Sequence, residues 1–430
     1  MADRFELEPL TPPVRYPRYG ERETENEKSR EPRKDRRDTI VKSKGIFRKE
    51  RFSISFITGE FDIVFFTIAM LLLAIGLVML LSASYPTAYF KDDNSYSYFF
   101  KQLIFAVGGF IVMMVASKLD YKIYKDLLKI ILPVTLALLV IVLFYNTGRT
   151  ASSGEEFKRY IPLFGGFTFQ PSEVGKFTLI ITMAVYFSKY ANKVKTFKYG
   201  IFIPMIFIGV FCFLILKENH VSCTILMFLI GAAIMFAGGT KKWLFWLGAG
   251  IMAAAVILVF GFPEMMPPYV QRKLQAFTDK TFEPLDGRWQ INNSLYAIGS
   301  GGFFGVGLGN SKQKYMYVSE PQNDFIFSIV CEELGFIGAI VIIILFVLLV
   351  LRGIQISMKA RDKFGSYVAI GITAQIGIQT GLNILVVTDS IPNTGIALPF
   401  FSYGGTALLM LLFEVGVMLS ISRKASQRKI

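Results

Sequence analysis

Runs of about twenty consecutive apolar residues recur along this chain, and nothing else constrains its fold as strongly. The first, "FDIVFFTIAMLLLAIGLVMLLSAS" at 61–84, already has the length a helix needs to cross the hydrocarbon of a bilayer. A chain in that solvent must satisfy its backbone polar groups internally, as a helix or a closed barrel. The alternating segments of about ten residues that mark a barrel are absent. Only 18% of the 430 residues are charged, against 53% hydrophobic. The expected fold is therefore all-α: a polytopic membrane protein with about ten transmembrane helices. The predicted spans are 61–83, 100–117, 127–146, 171–189, 199–216, 221–238, 243–262, 323–351, 367–388 and 401–421.

Residues 1–60, rich in Arg, Lys, Glu and Pro, are predicted to be a disordered basic tail, with a membrane domain over 61–424. No signal peptide is expected before the first apolar run. The basic short loops "KLDYKIYK", "KYANKVK", "KK" and "RGIQISMKARDK" all fall on one side of the predicted spans. By the positive-inside rule both termini are then cytoplasmic. The net charge of +14 reads as an orientation signal, and no nucleic acid partner is expected. The polar segments 85–99, 147–170, 217–220, 263–322 and 389–400 face outward, the longest just before the eighth helix. Its glycine-rich part, "GSGGFFGVGLGNSK", lacks the Gly-Lys-Ser/Thr ending of a phosphate loop, so ATP hydrolysis is not expected. Three cysteines without ligand spacing and one histidine, His220, argue against a His-cluster metal site and a Ser-His-Asp triad.

An ionisable group at membrane depth is costly and usually faces a cavity or a partner. Asp324 heads an apolar run. On a helix starting there, Ser328, Cys331 and Gly335 share its face, leaving Phe325, Ile326, Ile329 and Val330 for lipid. The plain alternative is a carboxylate stabilised by the helix N-terminus. In "FQPSEVGKF", Glu173 and Lys176 can pair across one turn, to fix packing or to meet a substrate. Lys158 and Arg159 are outward cations suited to anchoring or binding. Arg288, Gln290, Asn293 and Ser294 suit a polar headgroup, while Trp289 and Tyr296 suit the interface. Ser402, Gly404 and Gly405 permit close helix approach. Glu414, deeper in the tenth span, is expected to be buried and either paired or neutral.

Several long segments are similar to a known family. "WQINNSLYAIGSGGFFGVGLGNSKQKYMYVSEPQNDFIFSIVCEELGFIG", "FQPSEVGK", "NILVVTDSIPNTGIALPFFSYGG" and the late "ISR" resemble the SEDS family (shape, elongation, division and sporulation), the FtsW/RodA-like peptidoglycan polymerases, over roughly 60–424. The resemblance implies a glycosyltransferase of the bacterial cytoplasmic membrane that joins lipid II into β-1,4 glycan strands at the outer face. It puts the essential acid at Asp324 of "NDFIF" and polar cavity positions at Lys101, Arg159, Glu173 and Lys176. The wording "EPQNDFIF" leans toward the division or sporulation branch. The chain departs from the family pattern at Tyr160 for Trp, in "KENHVSCT" for Glu-Pro-His-Leu-Ser-Gly-Thr, and at Asn293 for Gln.

The implied mechanism has Asp324 as general base on the acceptor hydroxyl, with Lys101, Arg159, Lys176 or Lys314 as counter-ions for pyrophosphate. The candidate substrate-binding set is Lys101, Arg159, Glu173, Lys176, Arg288, Gln290, Ser294, Lys314 and Ser402. A divalent cation (Mg or Mn) held partly by Asp324 is the alternative to a base; no other cofactor is expected. Expected partners are lipid II, membrane lipid, a single-pass class B penicillin-binding transpeptidase and other division proteins. The rival readings are a lipid II flippase, which needs polar groups through the whole membrane depth, and a scaffold without catalysis.

Overall fold

The apolar runs fold as helices in a computed structural model described for residues 56–57, 59–145, 159–162, 168–241, 243, 248, 250, 257–258, 261–265, 268–281 and 288–426. The helices are α1 Ile63–Asp92, α2 Ser97–Lys118, α3 Ile123–Ile141, α4 Pro171–Lys189, α5 Ile203–Lys217, α6 Val221–Ala237, α7 Pro268–Thr278, α8 Trp289–Ser300, α9 Ile326–Lys359, α10 Lys363–Val387 and α11 Gly405–Ser426. Two short strands, β1 Ile161–Pro162 and β2 Thr168–Phe169, pair antiparallel before α4. Among the described residues seven helical segments are long and apolar enough to cross a membrane, formed by α1, α2, α3, α5, α9, α10 and α11. The predicted spans 171–189 and 221–238 are α4 and the shorter α6. The predicted span 243–262 lies largely outside the described residues, as does the tail up to residue 55.

Helix starts carry the caps their sequences supply. Asp62 accepts a hydrogen bond from the Phe65 amide (3.0 Å) and pairs with Arg352 of α9 (2.9 Å), tying the start of α1 to a neighbour. Pro171 occupies the first turn of α4, where a missing N–H costs nothing. α4 is the inner helix of the bundle: from Pro171 to Phe187 it is buried nearly all round, against α3, α5, α6, α10 and α11. α2 shows the opposite pattern, with Ile104, Val107, Ile111 and Val115 exposed along one side as a lipid-facing stripe. Its other side meets α11 so closely that a Cβ at Gly416 would lie 2.5 Å from the carbonyl oxygen of Met113. Only glycine admits that contact.

The predicted eighth span differs in an instructive way. Asp324 is not helical; it sits in a turn before α9, which starts at Ile326 and breaks at Gly335 (φ 69°, ψ −171°). Phe325, Ile326, Ile329 and Val330 are fully buried, not lipid-facing as the helical projection predicts. The cause is the glycine-rich loop, which packs against this first piece of α9. The amides of Val306 and Gly307 bond to the carbonyls of Glu332 and Glu333 (3.0 and 3.1 Å), and those of Phe336 and Ile337 to Gly302 and Phe303 (2.9 and 3.2 Å). Four backbone groups of α9 around the break thus gain partners, as a low-dielectric surrounding demands. The Glu332 carboxylate accepts from the Lys312 amide (2.9 Å) and from the Ser311 hydroxyl, and Glu333 takes the Lys314 ammonium (2.9 Å). Those two acids, so deep in an apolar run, hold a loop in place.

Candidate active site

α4, α6 and α11 begin at the same end of the bundle, where α10 finishes. Their starts surround a cavity of about 140 Å³ whose lining includes Gln170 and Glu173 of α4, His220 and Ser222 at α6, and Gly404 to Thr406 at α11. Unpaired amides at a helix start carry roughly half a positive charge, so three starts around one cavity favour an anion. Arg159 and Lys176 line it too, adding two cationic side chains against the one carboxylate of Glu173.

Lys176 is buried and pairs with Glu173 one turn earlier (2.8 Å), and its Nζ also reaches Oε1 of Gln379 (3.4 Å). Arg159 donates to the carbonyl of Asn219 beside Glu218. Burial pulls Arg159 below its usual value, while the neighbouring Tyr160, Cys223, Glu218 and Asp324 support its charge. Glu218 is fully buried and neither of its carboxylate oxygens has a hydrogen-bond partner. Burial pushes its carboxyl up to about 8 from 4.5, against the pull of Arg159. The folded protein therefore keeps this proton across a pH window in which the unfolded chain has lost it. Stability from this group is complete below pH 4.5, falls as pH rises towards about 8, and is level above that. The slope is at most about 1.4 kcal/mol per pH unit. Glu218→Gln is expected to flatten that slope, so its melting temperature in detergent gains on wild type from pH 5 to pH 8. Parallel melting curves across the window would refute the assignment.

Asp324 stands behind Gly395, itself a cavity residue: a Cβ on Gly395 would lie 3.3 Å from Oδ2 of Asp324, and its φ of +66° already disfavours any side chain. The turn carrying Asp324 is gripped by its backbone. Asn383 of α10 donates to the Asp324 carbonyl (2.7 Å) and to that of Ile396 (2.6 Å), Ser402 donates to the Asn323 carbonyl (2.6 Å), and the Tyr403 amide bonds to Gln322 (2.8 Å). These bonds hold the backbone of the turn and set Oδ2 of Asp324 behind Gly395.

Of the predicted substrate-binding residues, Arg159, Glu173 and Lys176 come together in the cavity lining. Lys101 of α2 does not line it; its ammonium is 6.0 Å from the Tyr98 ring, which packs edge-on against the lining residue Tyr403. Ser402 serves the loop backbone, accepting from the Leu398 amide while it donates to Asn323. Arg288, Gln290, Ser294 and Lys314 do not line the cavity. Arg288 pairs with Asp389 (2.6 Å), Gln290 donates to the Ser319 carbonyl, and Ser294 donates to the Val387 carbonyl. Lys314 is buried against Glu333, Ser82 and the Gly309 carbonyl. Gln379, Gly395 and Tyr403 were not predicted, yet all three line the cavity. A signal was present: Gln375, Gln379 and Asn383 recur every four residues in an apolar span, one polar helix face. Among the described residues no three His, Cys, Asp or Glu side chains cluster to hold a metal ion.

Comparison with known proteins places this geometry among relatives. Residues 62–427 match the model of the FTSW_RODA_SPOVE family, described as cell cycle protein. The probable peptidoglycan glycosyltransferase FtsW of Geobacter sp. (strain M18) is 38% identical over 364 residues, covering 85% of this chain and 97% of that one. Stage V sporulation protein E of Bacillus subtilis (strain 168) is 39% identical over 364 residues, covering 84% and 97%. Among solved structures, a chain from work on how a peptidoglycan synthase complex coordinates polymerization and crosslinking superposes with a TM-score of 0.69 at 20% identity, over 85% of this chain and 99% of its own. The rod shape determining protein RodA of Thermus thermophilus gives 0.59 at 21%, over 84% and 97%.

Proposed function

The chain belongs to the FtsW/RodA/SpoVE family of cell cycle proteins, and on that premise we propose that it is a peptidoglycan glycosyltransferase polymerising lipid II. The observation that carries this reading is the convergence of three helix starts, Arg159 and Lys176 on one cavity beside Asp324. Lipid II presents an anionic pyrophosphate next to the sugar carbon that must react, and this arrangement offers positive charge for the first and a carboxylate for the second. Asp324 takes the proton of the acceptor's sugar hydroxyl as that oxygen bonds to the donor's anomeric carbon. The bond from that carbon to the pyrophosphate breaks, and its electron pair leaves with the lipid pyrophosphate. Attack opposite the leaving group inverts the α-linked donor into a β-1,4 glycan. Charge grows on the leaving oxygen as the bond breaks, and cations fixed beforehand stabilise it most at that moment.

The basic loops support a cavity on the outer side of the cytoplasmic membrane. The described residues surround Asp324 with no further cluster of hard ligands, so a divalent cation there would rely on phosphate oxygens of the substrate; no step is routed through one. The fold neighbour from a peptidoglycan synthase complex supports a single-pass transpeptidase as partner. Purified protein in liposomes containing lipid II, with and without such a partner, is expected to yield glycan strands resolved on a gel. Movement of lipid II between leaflets with no strands formed would overturn the polymerase reading in favour of transport.

A further inference from the structure

Beneath the Lys176–Glu173 pair, polar chemistry continues deeper into the bundle. Glu414 of α11 is fully buried in an apolar helix, and its Oε2 accepts a hydrogen bond from Nε2 of Gln375 (2.8 Å). Its Oε1 and the Oε1 of Gln375 are both buried without a hydrogen-bond partner. One turn along α10, Gln379 takes the Lys176 ammonium on Oε1 and donates from Nε2 to the Ala397 carbonyl (2.8 Å). A second cavity of about 30 Å³ lies beside the two amides, lined by Lys176, Gln375, Gln379 and Ser402 among others, with Glu414 behind Gln375. About 10–15 Å³ is enough for one water where polar partners surround it. A water there can donate to Oε1 of Gln375, a lining residue whose oxygen lacks a donor.

An ionisable side chain at this depth is costly, and joining two helices needs only a neutral amide. The charged groups bearing on Glu414 are Lys176 and Glu173 of α4, with Gln375 its hydrogen-bonded neighbour on α10. We propose that Glu414 is a positioning residue for the Lys176 ammonium, acting through Gln375, Gln379 and one water in the second cavity. Its side chain orders the two amides, and these hold the ammonium at the floor of the anion site. The proposal rests on the polymerase reading for the nature of the anion, a lipid-linked pyrophosphate.

The test is a double-mutant cycle on affinity for undecaprenyl pyrophosphate, using wild type, Glu414→Leu, Lys176→Met and the double variant. Glu414→Leu is expected to weaken binding about tenfold, within the range of coupled neighbours, and to add nothing once Lys176 is gone. In polymerisation it lowers kcat about tenfold with little change in KM, because the leaving pyrophosphate gains charge as it departs. Glu414→Gln, which keeps a partner for Gln375, recovers most of the lost rate. Losses that multiply in the double variant, or a Gln variant no better than Leu, overturn the proposal by reducing Glu414 to packing. Gln379→Leu interrupts the ladder elsewhere and repeats the cycle should Glu414→Leu fail to fold. Wild-type protein that binds the pyrophosphate lipid but makes no strands sinks the polymerase reading alone, since the affinity cycle still reports. Wild type that neither binds this lipid nor makes strands sinks both.

Discussion

Asp324→Asn is expected to polymerise lipid II about 10²–10⁴-fold more slowly than wild type while still binding it, the range that a general base contributes. The substitution is a clean one because of how the turn is held. Asn383 and Ser402 grip the carbonyls of Asp324 and Asn323, and Tyr403 grips Gln322, so no support of the turn runs through the carboxylate in these contacts. An amide of the same shape leaves that scaffold in place and removes the ability to accept a proton, together with the negative charge that supports Arg159. Binding should persist because the groups proposed to hold the anion, Arg159, Lys176 and the helix starts, are separate side chains and backbone. Strand yield on a gel and lipid II retention on the same preparation decide it. Near-normal strands from Asp324→Asn would remove Asp324 from the chemistry; loss of binding together with strands would make it a binding residue instead.

Much of this architecture was written in local pattern. Apolar length announced the spans, and α4 starts and ends at the predicted residues because Pro171 suits a first turn and basic residues follow Lys189. The Glu173–Lys176 pair was legible from its spacing, since three residues apart on a helix is contact wherever the helix sits. What escaped were partnerships across hundreds of positions. No local period says that Lys314 faces Ser82 and Glu333 rather than substrate, or that Arg288 is spent on Asp389. The helical projection from Asp324 failed for a related reason. It assumed an unbroken helix, whereas the backbone at Gly335 is claimed by residues 301–307, a contact that the glycine-rich composition permits but does not specify.

Glu333→Ala is expected to destabilise the protein by about 3–5 kcal/mol, the usual cost of stranding one half of a buried ion pair. Both partners are withdrawn from water: Lys314 is 3% and Glu333 0% exposed in their side chains, with 2.9 Å between charges. Ser82 of α1 donates to both oxygens of Glu333 (2.6 and 2.8 Å), and Lys314 donates to Ser82 and to the Gly309 carbonyl (3.0 and 2.7 Å). Removing the carboxylate leaves the ammonium with neutral acceptors alone and unties α1, the glycine-rich loop and the first piece of α9 at one point. That piece of α9 follows directly on the turn of Asp324, so polymerisation should fall with stability although neither residue lines the cavity. Replacing both partners removes the stranded charge, and Glu333→Leu with Lys314→Met is therefore expected to recover much of the loss. Melting temperatures in detergent for the two single variants and the pair provide the measurement. A double variant whose losses simply add would mean that the two side chains contribute separately, and that the loop is held by its backbone bonds to Glu332 and Glu333 instead.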